Sequence, residues 1–379
     1  MPLRIALISP FPPLKGGIAR FSNRLLPALS EAGCQVLPVP FRRLYPRWLL
    51  NGRTAADSSL PVDTGSTFSL DLVNPLTWIT TAIALRRIKP DVLLVAYWTG
   101  LLAPLCTVLR TITGIRTLVL LHNFTSHERL PAENLLQRLL LFSADGFVTL
   151  SASVQRELDA TGNRLPSISL FHPLYEPSSP GPHREVARQA LGLSDREKVL
   201  LFFGYVRRYK GLDLLLDAMA AVLRSDPAIR LVVAGEFIGS ERYYRDMAGR
   251  LGIAGSVDFR PGYVPADEVG QLFAAADAVV LPYRSATQSG VVPLAFGYRV
   301  PVIACDAGDL SSQVEHGVSG WIVDRPDAAA LAEGILEFFR SGGPAGMKDG
   351  IETARKALSW QVFSERLVAF LERQARGGA

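Results

Sequence analysis

Short apolar runs alternate with amphipathic helical segments along this chain, and that alternation leaves few folds open. The first run, residues 3–9 (LRIALIS), leads through a proline- and glycine-rich turn, PFPPLKGG. Beyond it Ile18, Phe21, Leu25 and Leu29 recur at helical spacing. Pro27 falls inside that pattern and is expected to kink the helix. Gly33 ends it, and a second strand starts at Gln35. Strand, turn, helix, strand implies a parallel, doubly wound sheet. Further runs stand at 91–97 (DVLLVAY), 117–121 (TLVLL), 146–150 (GFVTL) and 167–171, with helical segments between them.

The same alternation then begins again. Residues 199–203, 230–235 (RLVVAG), 256–259, 278–282 (AVVLP), 300–304 (VPVIA) and 320–323 (GWIV) read as strands of a second parallel sheet. Between the two series lies 176–183, EPSSPGPH, whose composition marks a linker. At 379 residues the chain is too long for one ordinary core, so two domains are expected on size as well. The reading is an N-terminal α/β domain over 1–175, a linker over 176–183, a second α/β domain over 184–345, and C-terminal helices over 346–379 that pack on a domain face.

Charge is unevenly placed. Residues 1–180 carry 17 Lys and Arg against 11 Asp and Glu, while the remainder carries 23 against 24. An anionic partner is therefore expected for the first half only. Nucleic acid is disfavoured, because no zinc-finger pattern, RNA-binding signature or heptad-bearing basic region is present. Residues 42–53 (RRLYPRWLLNGR) mix four arginines with Tyr45, Trp48, Leu49 and Leu50. This suits a membrane interface, or equally a surface loop packed on itself. The polar stretch 54–71 reads as a flexible loop. Cys34, Cys106 and Cys305 are odd in number and far apart, which fits a reduced cytoplasmic protein better than a disulfide scaffold. No HExxH or CxxC occurs, and His127-Glu128 lacks a second histidine at metal spacing, so no metal is expected. The apolar part of the N-terminus is too short for a signal peptide and reads as the first strand. No apolar run reaches the roughly 18 residues of a spanning helix.

Candidate chemistry lies where strands end, because open α/β sheets bind ligands at the carboxyl ends of their strands. The most telling stretch is LLFFGYVRRYKGLD, residues 200–213. An apolar strand ends at Gly204, the basic turn Arg207, Arg208, Tyr209, Lys210 follows, and after Gly211 a helix begins. Helix-start amides with three cations beside them form a pyrophosphate clamp, against the plainer reading of an ordinary turn with solvated arginines. Residues 285–291, SATQSGV, make a second small-residue turn, with Thr287, Gln288, Ser289 and Gly290 as its donors. Two such turns in one domain point to a diphosphate. Gly16-Gly17 follows the first strand. His122 follows TLVLL, where it could contact substrate or serve the fold. Glu236 follows RLVVA and could accept from sugar or ribose hydroxyls, or cap a helix. No Ser-His-Asp set, GxSxG elbow or P-loop lysine is present, and GGIARF is not a dinucleotide fingerprint.

With these residues in view, the chain resembles the retaining GT-B glycosyltransferases of family 4, the group 1 transferases. The family's phosphate loop, roughly G-R-x-x-x-x-K-G, is matched by Gly204 to Gly211 with Lys210 at the lysine. Tyr205 stands at the arginine, leaving Arg207 or Arg208 to substitute. The GGI turn matches Gly16-Gly17-Ile18, the first-domain histidine matches His122, and PVIA matches residues 301–304. One departure matters: the family's two glutamates eight positions apart fall on Ala286 and Leu294. The resemblance implies two Rossmann-like domains facing a cleft. It implies transfer of a hexosyl unit from a nucleoside-diphosphate sugar to a hydroxyl with retention, without cofactor or metal. His122, Arg207 and Lys210 would do the catalytic work, and Gly16, Gly17, Gly204, Arg208, Glu236 and residues 287–290 would hold the donor. The basic first domain adds a lipid-linked acceptor at the inner membrane face, in surface polysaccharide or glycolipid assembly. The alternatives are a sugar-nucleotide epimerase of the same architecture and an inactive sugar-nucleotide-binding relative that lost its glutamates.

Overall fold

The computed structural model describes residues 2–14, 16–44, 68, 70–125, 132–174, 181–286 and 289–377. The stretch 45–67, most of the linker (176–180), His127-Glu128, Thr287 and Gln288 lie outside them.

The chain forms two parallel α/β units, one of residues 1–172 with 360–379, the other of residues 173–359. In the first, seven strands form one sheet: β1 (Arg4–Ser9), β2 (Gln35–Arg43), β3 (Leu70–Asp71), β4 (Val92–Tyr97), β5 (Thr117–Leu121), β6 (Gly146–Thr149) and β7 (Ser167–Ser169). Their order across the sheet is β3-β2-β1-β4-β5-β6-β7, all parallel. In the second, six strands run β10-β9-β8-β11-β12-β13. They are β8 (Lys198–Phe203), β9 (Ile229–Gly235), β10 (Val257–Pro261), β11 (Ala278–Leu281), β12 (Val302–Cys305) and β13 (Gly320–Val323). Strand order reverses between β1 and β4 and again between β8 and β11, which are the points where doubly wound sheets open a crevice.

Alternation of side chains along a strand divides the first sheet between two helix layers. Ala6, Ile8, Leu93, Val95, Val119 and Leu121 face one layer, which includes the helices Pro75–Ile88, Ala103–Thr113 and Glu133–Ser143. Ile5, Leu7, Val92, Leu94, Leu118 and Leu120 face the other, built from Gly17–Glu31 and Trp360–Ala375. The terminal segment expected as one set of helices is thus divided. Lys348–Ala357 packs through Ile351 into the second unit's core, while Trp360, Phe363, Leu367 and Phe370 complete the first unit. Helix Gly17–Glu31 runs through Pro27, and β2 starts at Gln35 as expected and extends to Arg43.

One aspartate device recurs three times. Asp91, Asp145 and Asp277 stand just before β4, β6 and β11. Each exchanges two hydrogen bonds with a residue at the start of the neighbouring strand: its carboxylate accepts from the amides of Arg4 (2.7 Å), Thr117 (2.8 Å) and Val199 (2.7 Å). Its own amide donates to the same residue's carbonyl. The register of adjacent strands is pinned there, at the end opposite the crevice. Asp277 is the most deeply set, meeting the fully buried Arg188 at 2.8 Å. Arg188 also donates to the carbonyls of Ala275, Ser194, Asp195 and Glu197, so each nitrogen of the buried guanidinium has an acceptor.

Candidate functional site

In the first unit, Gly16 caps the helix Gly17–Glu31 in a positive-φ conformation (φ 129°), and nothing lies within 4 Å of where a Cβ on Gly16 or Gly17 would stand. Both are exposed, so the backbone at this helix start is open to a ligand. His122 follows β5 directly. Its amide donates to the Tyr97 carbonyl (2.8 Å), and its ring meets the Phe21 ring edge-on at 5.0 Å. Phe21 also touches His172, Trp360 and Phe363, which seats the imidazole beside an aromatic cluster. Burial, and then the neighbouring His172, push the His122 imidazole down to about 3, so it is neutral at physiological pH.

In the second unit the basic turn stands at the strand-order reversal. After β8, Gly204 turns the chain at φ 98°, the Val206 amide donates to the Glu236 carbonyl (2.9 Å), and the Ile238 amide donates back to Val206 (3.0 Å). Glu236 is therefore tied through its backbone to the loop that follows β8. Arg208–Lys210 forms a single 3₁₀ turn, and Gly211 opens the helix Leu212–Ser225 with no side-chain cap on its amides. Gly211 is required by space as well as by its φ of 69°: a Cβ there would stand 1.9 Å from the Pro282 carbonyl oxygen. The loops after β8 and β11 are thus in direct contact.

The cations are not equivalent. Arg207 and Arg208 are exposed. Lys210 lies back, with Nζ 5.3 Å from the centre of the Tyr283 ring. Burial, and then the charge of Arg207, bring its ammonium down to about 8. An anion placed here would counter both effects by supplying opposite charge. Arg207, Arg208, Tyr209, Ile238 and Arg284 line an open hollow of about 550 Å³.

Of the second turn, Ser289 is buried and its Oγ accepts from the Val291 amide (3.2 Å), while Gly290 is exposed at the start of the short helix Val291–Gly297. The Ser289 hydroxyl is thus engaged by a backbone amide two residues on in its own turn. Sequence reasoning missed Tyr283, Asp213 and Arg284, although the place of Arg284, three residues beyond the end of β11, was a usable signal. Among the described residues no group of three or more His, Cys, Asp or Glu is arranged to hold a metal ion, and no helix is long and apolar enough to cross a membrane.

Comparison with known proteins agrees with this geometry. The family described as Glycosyl transferases group 1 matches residues 183–357, and that described as Glycosyl transferase 4-like domain matches residues 16–173. The D-inositol 3-phosphate glycosyltransferase of Segniliparus rotundus is 34% identical over 206 residues, which is 52% of this chain and 44% of that relative. The alignment thus spans less than half of that protein. Among solved structures, sucrose-phosphate synthase from Thermosynechococcus elongatus superposes over 100% of both chains with a TM-score of 0.75 at 19% identity. Anabaena HepE in complex with UDP covers 98% of this chain and 100% of its own, with a TM-score of 0.74 at 18% identity. At such identities these structures speak for the fold, two Rossmann-like units of the GT-B kind. With the group 1 family matching its second unit and the 4-like family its first, the chain belongs to the group 1 glycosyltransferases.

Proposed function

We propose that this protein transfers a hexosyl unit from a nucleoside-diphosphate sugar to a hydroxyl acceptor with retention of anomeric configuration. The observation that carries the reading is the cationic turn of residues 204–211, placed at the strand-order reversal and joined to the loop after β11. Arg207, Arg208 and Lys210, with the amides that open the helix Leu212–Ser225, are the groups suited to a departing diphosphate. Catalysis in this reading rests on stabilising the leaving group and positioning the sugar. The charge of the diphosphate falls on these side chains without a metal. His122, being neutral, would hydrogen-bond the donor rather than deliver charge to it. A relative of the same fold was solved with UDP, which supports a nucleotide donor.

The positions of the missing glutamates favour altered sugar and ribose recognition. Leu294 packs against the second unit's apolar core. The Ala286 carbonyl lies where a Cβ on Gly308 would meet it, so that backbone is closely packed. Neither position offers a carboxylate, and this also favours the second reading of a binder without turnover. A thermal-shift screen over UDP, GDP and ADP sugars tests the donor class. Turnover of the stabilising sugar, followed by the anomeric configuration of the product and by its indifference to chelator, tests the rest. No stabilisation by any nucleotide sugar would remove the reading, and stabilisation without transfer to any of a broad acceptor panel would favour the binder.

A lipid-linked acceptor in glycolipid or surface-polysaccharide assembly is the acceptor class we infer. Its support is an exposed face on the first unit: Leu76 (70% exposed), Ile79 and Ile83 run along the helix Pro75–Ile88 to Arg86 and Arg87. Phe142 (81% exposed) and Leu135 stand on the helix Glu133–Ser143. Apolar side chains bordered by arginines suit the surface of an anionic bilayer. Co-sedimentation with vesicles containing anionic lipid is the measurement, and failure to bind them would count against this acceptor class.

A further inference from the structure

Arg284 is the residue that joins the two loops, and the reading above leaves it without a task. Its guanidinium grips the Asp213 carboxylate with two parallel bonds, Nη1 to Oδ1 at 2.8 Å and Nη2 to Oδ2 at 2.7 Å. Nη1 also donates to the Arg208 carbonyl (3.0 Å), and the Arg284 amide donates to the Tyr209 carbonyl (2.8 Å). Two successive carbonyls of the basic turn are therefore bonded to one residue of the neighbouring loop. Asp213 is itself in the first turn of the helix that the basic turn opens.

We propose that Arg284 is a positioning residue for anion binding: it fixes the Arg207–Lys210 turn in the shape that accepts a diphosphate, with Asp213 as its anchor. The inference rests on the diphosphate reading of that turn. The physical reason is that a peptide turn presents carbonyl oxygens as well as amides, and its carbonyl oxygens repel an anion. Bonding the Arg208 and Tyr209 carbonyls to Arg284 engages those acceptors and leaves the cations for the ligand. The bidentate pair supplies what a single contact lacks, a fixed orientation of the guanidinium plane. Partial burial alone would raise the Asp213 carboxyl, but the Arg284 guanidinium outweighs it and holds that carboxyl below its usual range, so the pair stays charged at neutral pH. Asp213 also offsets the Arg284 charge, which leaves Arg207, Arg208 and Lys210 as the net positive groups of the turn.

An ordinary surface ion pair would contribute little, and its loss would leave ligand binding untouched. The test therefore reads pyrophosphate binding to the full chain by calorimetry, alongside the melting temperature without ligand. Wild type is expected to bind and Lys210→Ala to lose binding. Arg284→Met and Asp213→Ala should each weaken it by about tenfold in the folded protein. Arg284→Lys keeps the charge but loses the fork, so it should weaken binding as well, and it serves as the probe should Arg284→Met fail to fold. Loss in Lys210→Ala with wild-type affinity in the Arg284 variants would overturn the inference and leave the diphosphate reading standing. Tighter binding by Asp213→Ala would overturn it too, because that result means a freed Arg284 meets the anion directly. Absence of pyrophosphate binding in the wild type would remove the diphosphate reading and the inference together.

Discussion

The two sheets are wound alike, yet the groups gathered at their strand ends are opposite in character. Behind β5, an imidazole is sunk beside aromatic rings and kept neutral. Behind β8, arginines stand in the open and a lysine is held in a partly charged state near pH 8. The winding specifies where a ligand can approach, while burial decides which electrical task each strand end can perform. A neutral ring can orient a ligand by hydrogen bonding, and a cationic turn can take the charge of a leaving group. The aspartates at the opposite strand ends repeat the contrast: Arg188 against Asp277 is fully buried, while Arg110 against Asp145 is about two-fifths exposed.

That last difference gives the largest expected effect. Asp277→Ala leaves Arg188 charged and buried, and chemical denaturation should show a loss of roughly 3–5 kcal/mol. Asp145→Ala should cost about 1 kcal/mol beyond its backbone bonds, because its partner reaches solvent. Equal losses would mean that burial does not separate the two clamps.

The next effect concerns acid. The folded His122 imidazole titrates near 3 and the unfolded one near 6.5, so the unfolded chain binds the proton first. The stability tied to its neutral form is fully present above pH 6.5 and declines as pH falls toward 3. At pH 4 the loss is on the order of 3 kcal/mol. Histidine NMR should find His122 uncharged down to about pH 4, and a midpoint near 6.5 would erase the contrast between the units.

Lys210→Ala comes third, with turnover of the identified donor falling about 100-fold while the melting temperature holds. Unchanged turnover would deprive the cationic turn of its role. Smallest of all, Phe142→Ser should alter stability by less than about 0.5 kcal/mol, since the ring is already in solvent. The same variant should reduce vesicle binding, and a marked loss of stability would show that the exposed face serves the fold.

Much of this architecture was legible in residue order. Runs such as TLVLL (117–121) and VLLFF (199–203) read as continuous apolar strands because they are buried on both sides, and the loops after them located His122, Lys210 and Gly211. The aspartate clamps were not legible, because an aspartate before a strand looks like any turn residue until its neighbour strand is known. The place of Arg284 after β11 was legible but its task was not, because its partners Asp213, Arg208 and Tyr209 lie more than 70 residues back in the chain. The apolar stripe of the last helix announced burial but carried no address, so its return to the first sheet could not be foreseen. Thr287 and Gln288 lie outside the described residues and stay expectations.

That return sets an order of events during synthesis. Residues 360–377 supply one side of the first unit's core, yet they leave the ribosome after residues 173–359. The second unit, continuous in sequence, can finish folding as soon as it emerges, whereas the first must wait for the helix Trp360–Ala375. The Leu174 amide bonded to the Leu358 carbonyl at 2.9 Å brings the second unit's entry and exit segments side by side. In assembly terms the second unit is an insert, the unit begun before it is completed after it, and a stop codon before Trp360 damages the unit whose synthesis started earlier.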